Sequence, residues 1–243
     1  MIESLRFHSG YPSRLEGIGR RLHRFGDRIN VLFGPNGSGK TTMLHALAVA
    51  TGCGNGGWSD RERIGDERSS CDRRGRGCSA QRTAGELGFR ASLEWDGYPV
   101  FYQDCYAHSE KSFIGSGYLE SRKMLRSTGE KRIGLINELI DYLENRFLTY
   151  KLKADQRPTL LLDEVDNHVG FAGQSILWKE IFPLLSKKYQ LIVATHSIFP
   201  VLLRKNTTSR KDNILELTPQ YAARCLGELG EAIEFFNESG GSV

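Results

Sequence analysis

Three short stretches of this sequence hold side chains that suit chemistry on a phosphate chain. The first is Gly34-Pro35-Asn36-Gly37-Ser38-Gly39-Lys40-Thr41-Thr42, a G-x-x-x-x-G-K-T pattern. Its glycines reach backbone angles barred to other residues, so successive N–H groups can turn inward on one anion. A helix starting near Lys40 would aim its positive end at the same point. Lys40 would reach the β- and γ-phosphates of a nucleoside triphosphate, and the Thr41 hydroxyl would ligate Mg²⁺. The second stretch is Leu160-Leu161-Leu162-Asp163-Glu164, an apolar strand ending in two acids. Asp163 would hold Mg²⁺ through water, and Glu164 would orient or deprotonate an attacking water. The third is Leu191-Ile192-Val193-Ala194-Thr195-His196-Ser197, another apolar run, ending at His196.

These groups need elements that bring them together. Arg28 to Phe33 reads as a buried strand ahead of the loop, and Met43 to Ala48 as the helix after it. Ile2 to His8 alternates and predicts a first strand. Tyr11 to Asp27 is rich in arginine and predicts a solvated hairpin edge, or else a basic surface for nucleic acid or an acidic partner. Gly88 to Trp95, the turn Asp96-Gly97 and Tyr98 to Gln103 predict an antiparallel hairpin. Ile133, Ile136, Ile140, Leu143 and Phe147 recur at helical spacing. Thr159 to Leu162 and Tyr189 to Ala194 predict buried strands, and Ile214 to Leu217 an edge strand. Ile176 to Leu185 and Ala222 to Phe236 predict helices.

A chain of 243 residues can form one domain with a full core. Its formal charge of +4 permits nucleic acid as a partner without arguing for it. Between Gly52 and Gly85 lie eight glycines and seven arginines, and almost no aliphatic residues. This stretch predicts a flexible insertion in the single domain. Five cysteines, irregularly spaced, do not read as a disulfide framework. No apolar run is long enough to span a membrane, and no signal peptide is evident, which predicts a cytoplasmic protein.

Ser127-Thr128-Gly129-Glu130 opens the amphipathic segment. Its plain reading is a capping box. With the other three stretches it also resembles the S-x-G-E signature of the ABC-type ATPases, in the version with Glu that is found in SMC, RecF and OLD-like heads. Thr195-His196-Ser197 resembles the switch histidine of soluble members. Val165 to Gly170 stands where that family has the loop that crosses to the opposite subunit. The resemblance implies an α/β P-loop NTPase fold: a mixed sheet, an antiparallel hairpin layer and a helical signature region. It implies ATP and Mg²⁺ as cofactors and ATP hydrolysis as the reaction. Gly34, Asn36, Gly37, Ser38, Gly39, Lys40, Thr41 and Thr42 would bind nucleotide in one subunit. Ser127, Gly129 and Glu130 would bind it from the other, in a sandwiched homodimer. Glu164 and His196 would be catalytic, with Thr41, Asp163 and Gln103 at the metal. Phe7 or Tyr11 could pack on adenine, the plainer reading of either being a core or surface ring.

Lys40 and Ser127 are 87 residues apart, without heptads, and 47 residues follow His196. The resemblance therefore implies a bare head whose output lies in another chain, as in compact ATPases of bacterial anti-phage systems that work with a nuclease or toxin. A RecF- or SMC-like DNA repair or chromosome-maintenance ATPase is the alternative, with DNA or RNA as partner. A transporter subunit and a module with a dead site remain as further classes.

Overall fold

The structure is a computed structural model. It describes residues 1–53, 57–58, 78–80, 89–103, 157–167, 169–204 and 213–239. Two sheets enclose a central helix. The larger has six strands in the order β10-β3-β9-β8-β7-β4: β3 Ile29–Phe33, β4 Gly57–Trp58, β7 Val100–Gln103, β8 Thr159–Asp163, β9 Gln190–Thr195 and β10 Asn213–Glu216. All its pairs are parallel except β4 with β7. The smaller sheet is antiparallel, in the order β2-β1-β6-β5. It comprises β1 Ile2–Gly10, β2 Leu22–Arg24, β5 Cys78–Ala80 and β6 Phe89–Trp95.

Alternation along the strands explains the layering. Leu161, Ile192 and Ala194 face helix α1 (Lys40–Ala50), with Met43, Leu44 and Leu47 against them. Ile2, Leu5 and Phe7 of β1 and Leu93 of β6 close the other side of that layer. Leu160, Leu162, Leu191 and Val193 point to the opposite face. There they meet Leu177, Trp178 and Phe182 from the helical stretch α2 (Phe171–Ile176), a π turn (Leu177–Ile181) and α3 (Phe182–Leu185). Helix α4 (Phe199–Arg204) and the start of α5 (Tyr221–Glu238) pack on this face too. Strands buried on both faces read as unbroken apolar runs, which is the parallel-sheet pattern. Each of these fully buried aliphatic side chains contributes about 1.5–3 kcal/mol.

The structure corrects one expectation. β6 and β7 do not form a hairpin: β6 pairs with β1, and β7 runs parallel to β8 in the other sheet. Asp96-Gly97 does turn the chain, with Gly97 at φ 76° and Tyr98 N donating to Asp96 Oδ1 at 2.9 Å. The turn hands the chain from one sheet to the other. The reason is visible in burial, since Phe89 to Trp95 alternates while Val100 to Gln103 is buried throughout. Two short pieces of the glycine-arginine segment, β4 and β5, extend the two sheets, and much of the remainder lies outside the described residues. The predicted amphipathic helix over Ile133 to Phe147 also lies outside them. No described helix is long and apolar enough to cross a membrane.

Candidate nucleotide site

The phosphate loop is shaped by glycine at defined points. Ser38 N donates to Pro35 O at 3.2 Å, closing a four-residue turn with Gly37 at φ 77° in its third position. Positive φ there is the type II arrangement, which favours glycine. A Cβ on Gly34 would fall 2.7 Å from Ser38 Oγ, and one on Gly39 2.6 Å from Ile18 Cδ1. No side chain caps α1, whose first internal bond runs from Met43 N to Gly39 O at 2.9 Å. The amides of Lys40, Thr41 and Thr42 therefore precede the helical ladder, where an anion can take them. Asn36, Gly37, Gly39, Lys40, Thr41, Thr42 and Glu164 line a cleft of about 190 Å³.

Register explains why the three stretches converge. Phe33, the last residue before the loop, sits opposite Thr195, and Asp163 sits opposite Ala194. The loop, the acids and His196 thus leave the same edge of three adjacent parallel strands. Gln103 pairs with Leu162, one residue before Asp163, so β7 ends at this edge as well.

Lys40 is buried, and its Nζ donates to Gly34 O at 2.9 Å and Pro35 O at 3.1 Å. Burial pushes its pKa down, opposed by the carboxylates of Glu164 and Asp163. Nζ also lies 3.4 Å from His196 Nδ1. An ammonium can only donate, so Nδ1 accepts and the ring proton sits on Nε2. Nε2 then donates to Glu164 Oε1 at 2.8 Å. Asn167 Nδ2 donates to the other carboxylate oxygen at 3.3 Å. Thr41 Oγ1 donates to Asp163 Oδ1 at 3.2 Å, which couples the loop to the acidic strand.

Glu164 has φ 47°, in the left-handed region. For a residue with a Cβ this costs on the order of 1–3 kcal/mol. Its N–H donates to Ala194 O at 2.9 Å, and Asn167 N donates to Glu164 O at 2.9 Å, fixing the turn that leads out of β8. Asp166 braces that turn from beneath. Its Oδ2 accepts from Thr195 Oγ1 at 2.6 Å and from Trp178 Nε1 at 2.9 Å. Burial raises the Asp166 pKa, and these two donors oppose the rise. Ser197 N donates to Thr195 Oγ1 at 2.8 Å, holding the backbone beside His196. The sequence reading missed Asn167, Trp178 and Thr195 as supports. The only local signal for them is Asp166-Asn167, one residue beyond the acid pair.

The residues present fit Mg-nucleotide. Thr41, Asp163 and Gln103 offer hydroxyl, carboxylate and amide oxygens, the hard donors Mg²⁺ prefers. Among the described residues no three His, Cys, Asp or Glu side chains cluster to cage an ion, so phosphate and water oxygens would complete the shell. Ser38 Oγ is buried on the loop with no hydrogen-bond partner among the described residues. Of the two aromatic candidates for adenine, Phe7 is excluded, because it is fully buried and packs edge-on against Phe89 at 5.6 Å. Tyr11 is half exposed and lines the cleft. Ser127, Gly129 and Glu130 lie outside the described residues, as does His168.

The family model of the AAA domain matches residues 21–218, which takes in the loop, the acid pair and the histidine. The chain belongs to the AAA domain family. Membership makes it a P-loop NTPase of α/β architecture and, in general terms, an ATPase. No curated protein matches this AAA domain.

Proposed function

We propose that the chain hydrolyses ATP at the edge shared by β3, β8 and β9, with Glu164 as the base. The observation that carries this is the continuous contact from Lys40 through His196 to Glu164, beside Thr41 and Asp163. Lys40 exchanges the carbonyls of Gly34 and Pro35 for β- and γ-phosphate oxygens. His196 turns its Nε2–H from Glu164 to the γ-phosphate. That frees Glu164 Oε1 to take a proton from water as the water oxygen bonds to the γ-phosphorus and the bond to the β-phosphate oxygen breaks. Mg²⁺, held by Thr41 with Asp163 and Gln103 close by, would neutralise charge on the phosphate oxygens. Tyr11 stacks on adenine.

Two such heads close on two ATP molecules, each site completed by the opposite chain's Ser127, Gly129 and Glu130. Closure controls a separate effector, a nuclease or toxin, in bacterial defence. The support is the S-x-G-E stretch and its order among the other motifs. The test is ATP-dependent dimerisation of Glu164→Gln, followed by light scattering. Dimers that form with Mg-ATP and vanish when Ser127→Arg is added support the reading. A protein that stays monomeric with saturating Mg-ATP overturns it.

Arg20, Arg21 and Arg24 are exposed on and beside the edge strand β2, which favours a second reading as a DNA-associated ATPase. DNA affinity that falls steeply with salt would support that reading.

A further inference from the structure

His196 is exposed at the end of β9, yet the residues on either side of it are buried. The contacts of its ring, Lys40 Nζ at 3.4 Å and Glu164 Oε1 at 2.8 Å, are both ones that the proposed reaction gives up. Whatever keeps the ring in place during that exchange has to act through its neighbours. Thr195 is held by Asp166. Ser197 is held from a different element. Its Oγ accepts from Phe199 N at 3.3 Å, which leaves its proton to donate to Gln174 Oε1 at 2.9 Å.

Gln174 stands on α2. Its Nε2 donates to Val169 O at 3.1 Å and, at the long limit, to Asp166 O at 3.4 Å. Carbonyls only accept, so the amide nitrogen faces them and the amide oxygen faces Ser197. With the bond from Ser197 N to Thr195 Oγ1 the contacts close a ring, from Asp166 through Thr195, Ser197 and Gln174 back to Asp166. The ring joins the turn that carries Glu164 to the turn that carries His196. Four residues beyond Gln174, Trp178 donates to Asp166 Oδ2 at 2.9 Å. Leu177, Trp178 and Phe182 are buried in the core, which gives Gln174 a fixed base. We propose that Gln174 is a positioning residue: through Ser197 it holds the backbone of His196, so that the ring exchanges Glu164 for the γ-phosphate without drifting from either. A misplacement of about 1 Å at a reacting group can cost on the order of 100-fold in rate. This rests on the reading of His196 as the group that meets the γ-phosphate.

The test compares Gln174→Leu, Ser197→Ala and the pair in the full chain. Leucine keeps most of the bulk of glutamine and loses its hydrogen bonds. If Gln174→Leu folds poorly, Ser197→Ala breaks the same link from the other side. Each single variant should lower the single-turnover hydrolysis rate about tenfold or more, with ATP affinity within about threefold of the parent. The pair should be no slower than the slower single variant, because both remove one link. Nuclear magnetic resonance of isotope-labelled histidine, with His196 assigned from His196→Asn, reads the ring directly. Its signals should move in both single variants without nucleotide, while those of His23, which contacts Ile18 O instead, should stay. His196 signals that keep the parent's positions overturn the proposal. So does ATP affinity that falls as far as the rate, or a pair whose losses multiply. Moved His196 signals together with a Glu164→Gln variant that hydrolyses at the parent rate sustain the role of Gln174 and overturn only Glu164 as the base.

Discussion

Strand β9 runs from Gln190 to Thr195, and buried polar groups sit at both of its ends. At the first end, Gln190 is satisfied entirely by the protein. Its Oε1 accepts from Ile2 N at 2.8 Å and Thr159 Oγ1 at 2.7 Å, and its Nε2 donates to Ile2 O and Gly26 O, both at 2.7 Å. This neutral knot ties the antiparallel sheet to the parallel one. At the other end stand the charged groups Lys40, Asp163 and Glu164, with His196 in contact with both Lys40 and Glu164. Their contacts, such as Lys40 on loop carbonyls and His196 on Glu164, are ones that phosphate oxygens can replace. A closed neutral network fixes structure. A charged one with exchangeable partners suits chemistry.

Substitutions at the two ends should therefore fail in different ways. The largest effect on nucleotide binding belongs to Lys40→Ala. Losing two charge-assisted contacts to phosphate removes about 3 kcal/mol, which weakens ATP binding roughly 100-fold. Calorimetric titration measures it, and the melting temperature without nucleotide should stay close to that of the parent. Gln190→Ala should do the reverse. It strands the buried Ile2 and Gly26 groups and should cost about 2–4 kcal/mol in urea unfolding, while nucleotide affinity of the folded fraction is unchanged. The smallest effect is expected for Asn167→Ala. It frees one oxygen of Glu164 and should change the turnover rate only a few-fold, with ATP affinity unaltered; steady-state assays separate the two. If Gln190→Ala abolished ATP binding in protein shown to be folded, the separation between the two ends would not hold.

How much of this was legible depended on how local each signal is. Gly34 to Thr42, Asp163-Glu164 and His196 each sit at the end of an apolar strand, so pattern and position coincide. Gln190 was not legible, because nothing beside it in sequence shows that Ile2, Gly26 and Thr159 converge on its amide. The hairpin reading failed at Asp96-Gly97 because that dipeptide turns the chain equally well within a sheet or between two. The unbroken run Val100-Phe101-Tyr102, set against the alternation of Phe89 to Trp95, held the information that decides it. Phe7 carried no mark separating a core ring from a base-stacking one. Nothing in the sequence marks Asp166 as a support, and only the converging hydrogen bonds from Thr195 and Trp178 make it a brace.

The central claim is that Glu164, released by His196, takes the proton from the attacking water. Single-turnover hydrolysis by Glu164→Gln, alongside ATP titration of the same protein, tests it most directly. The account predicts ATP affinity within a few-fold of the parent and a hydrolysis rate lower by about 10²–10⁴-fold, the range of general-base catalysis. Hydrolysis at the parent rate by a variant that binds ATP normally would contradict it and place the base elsewhere.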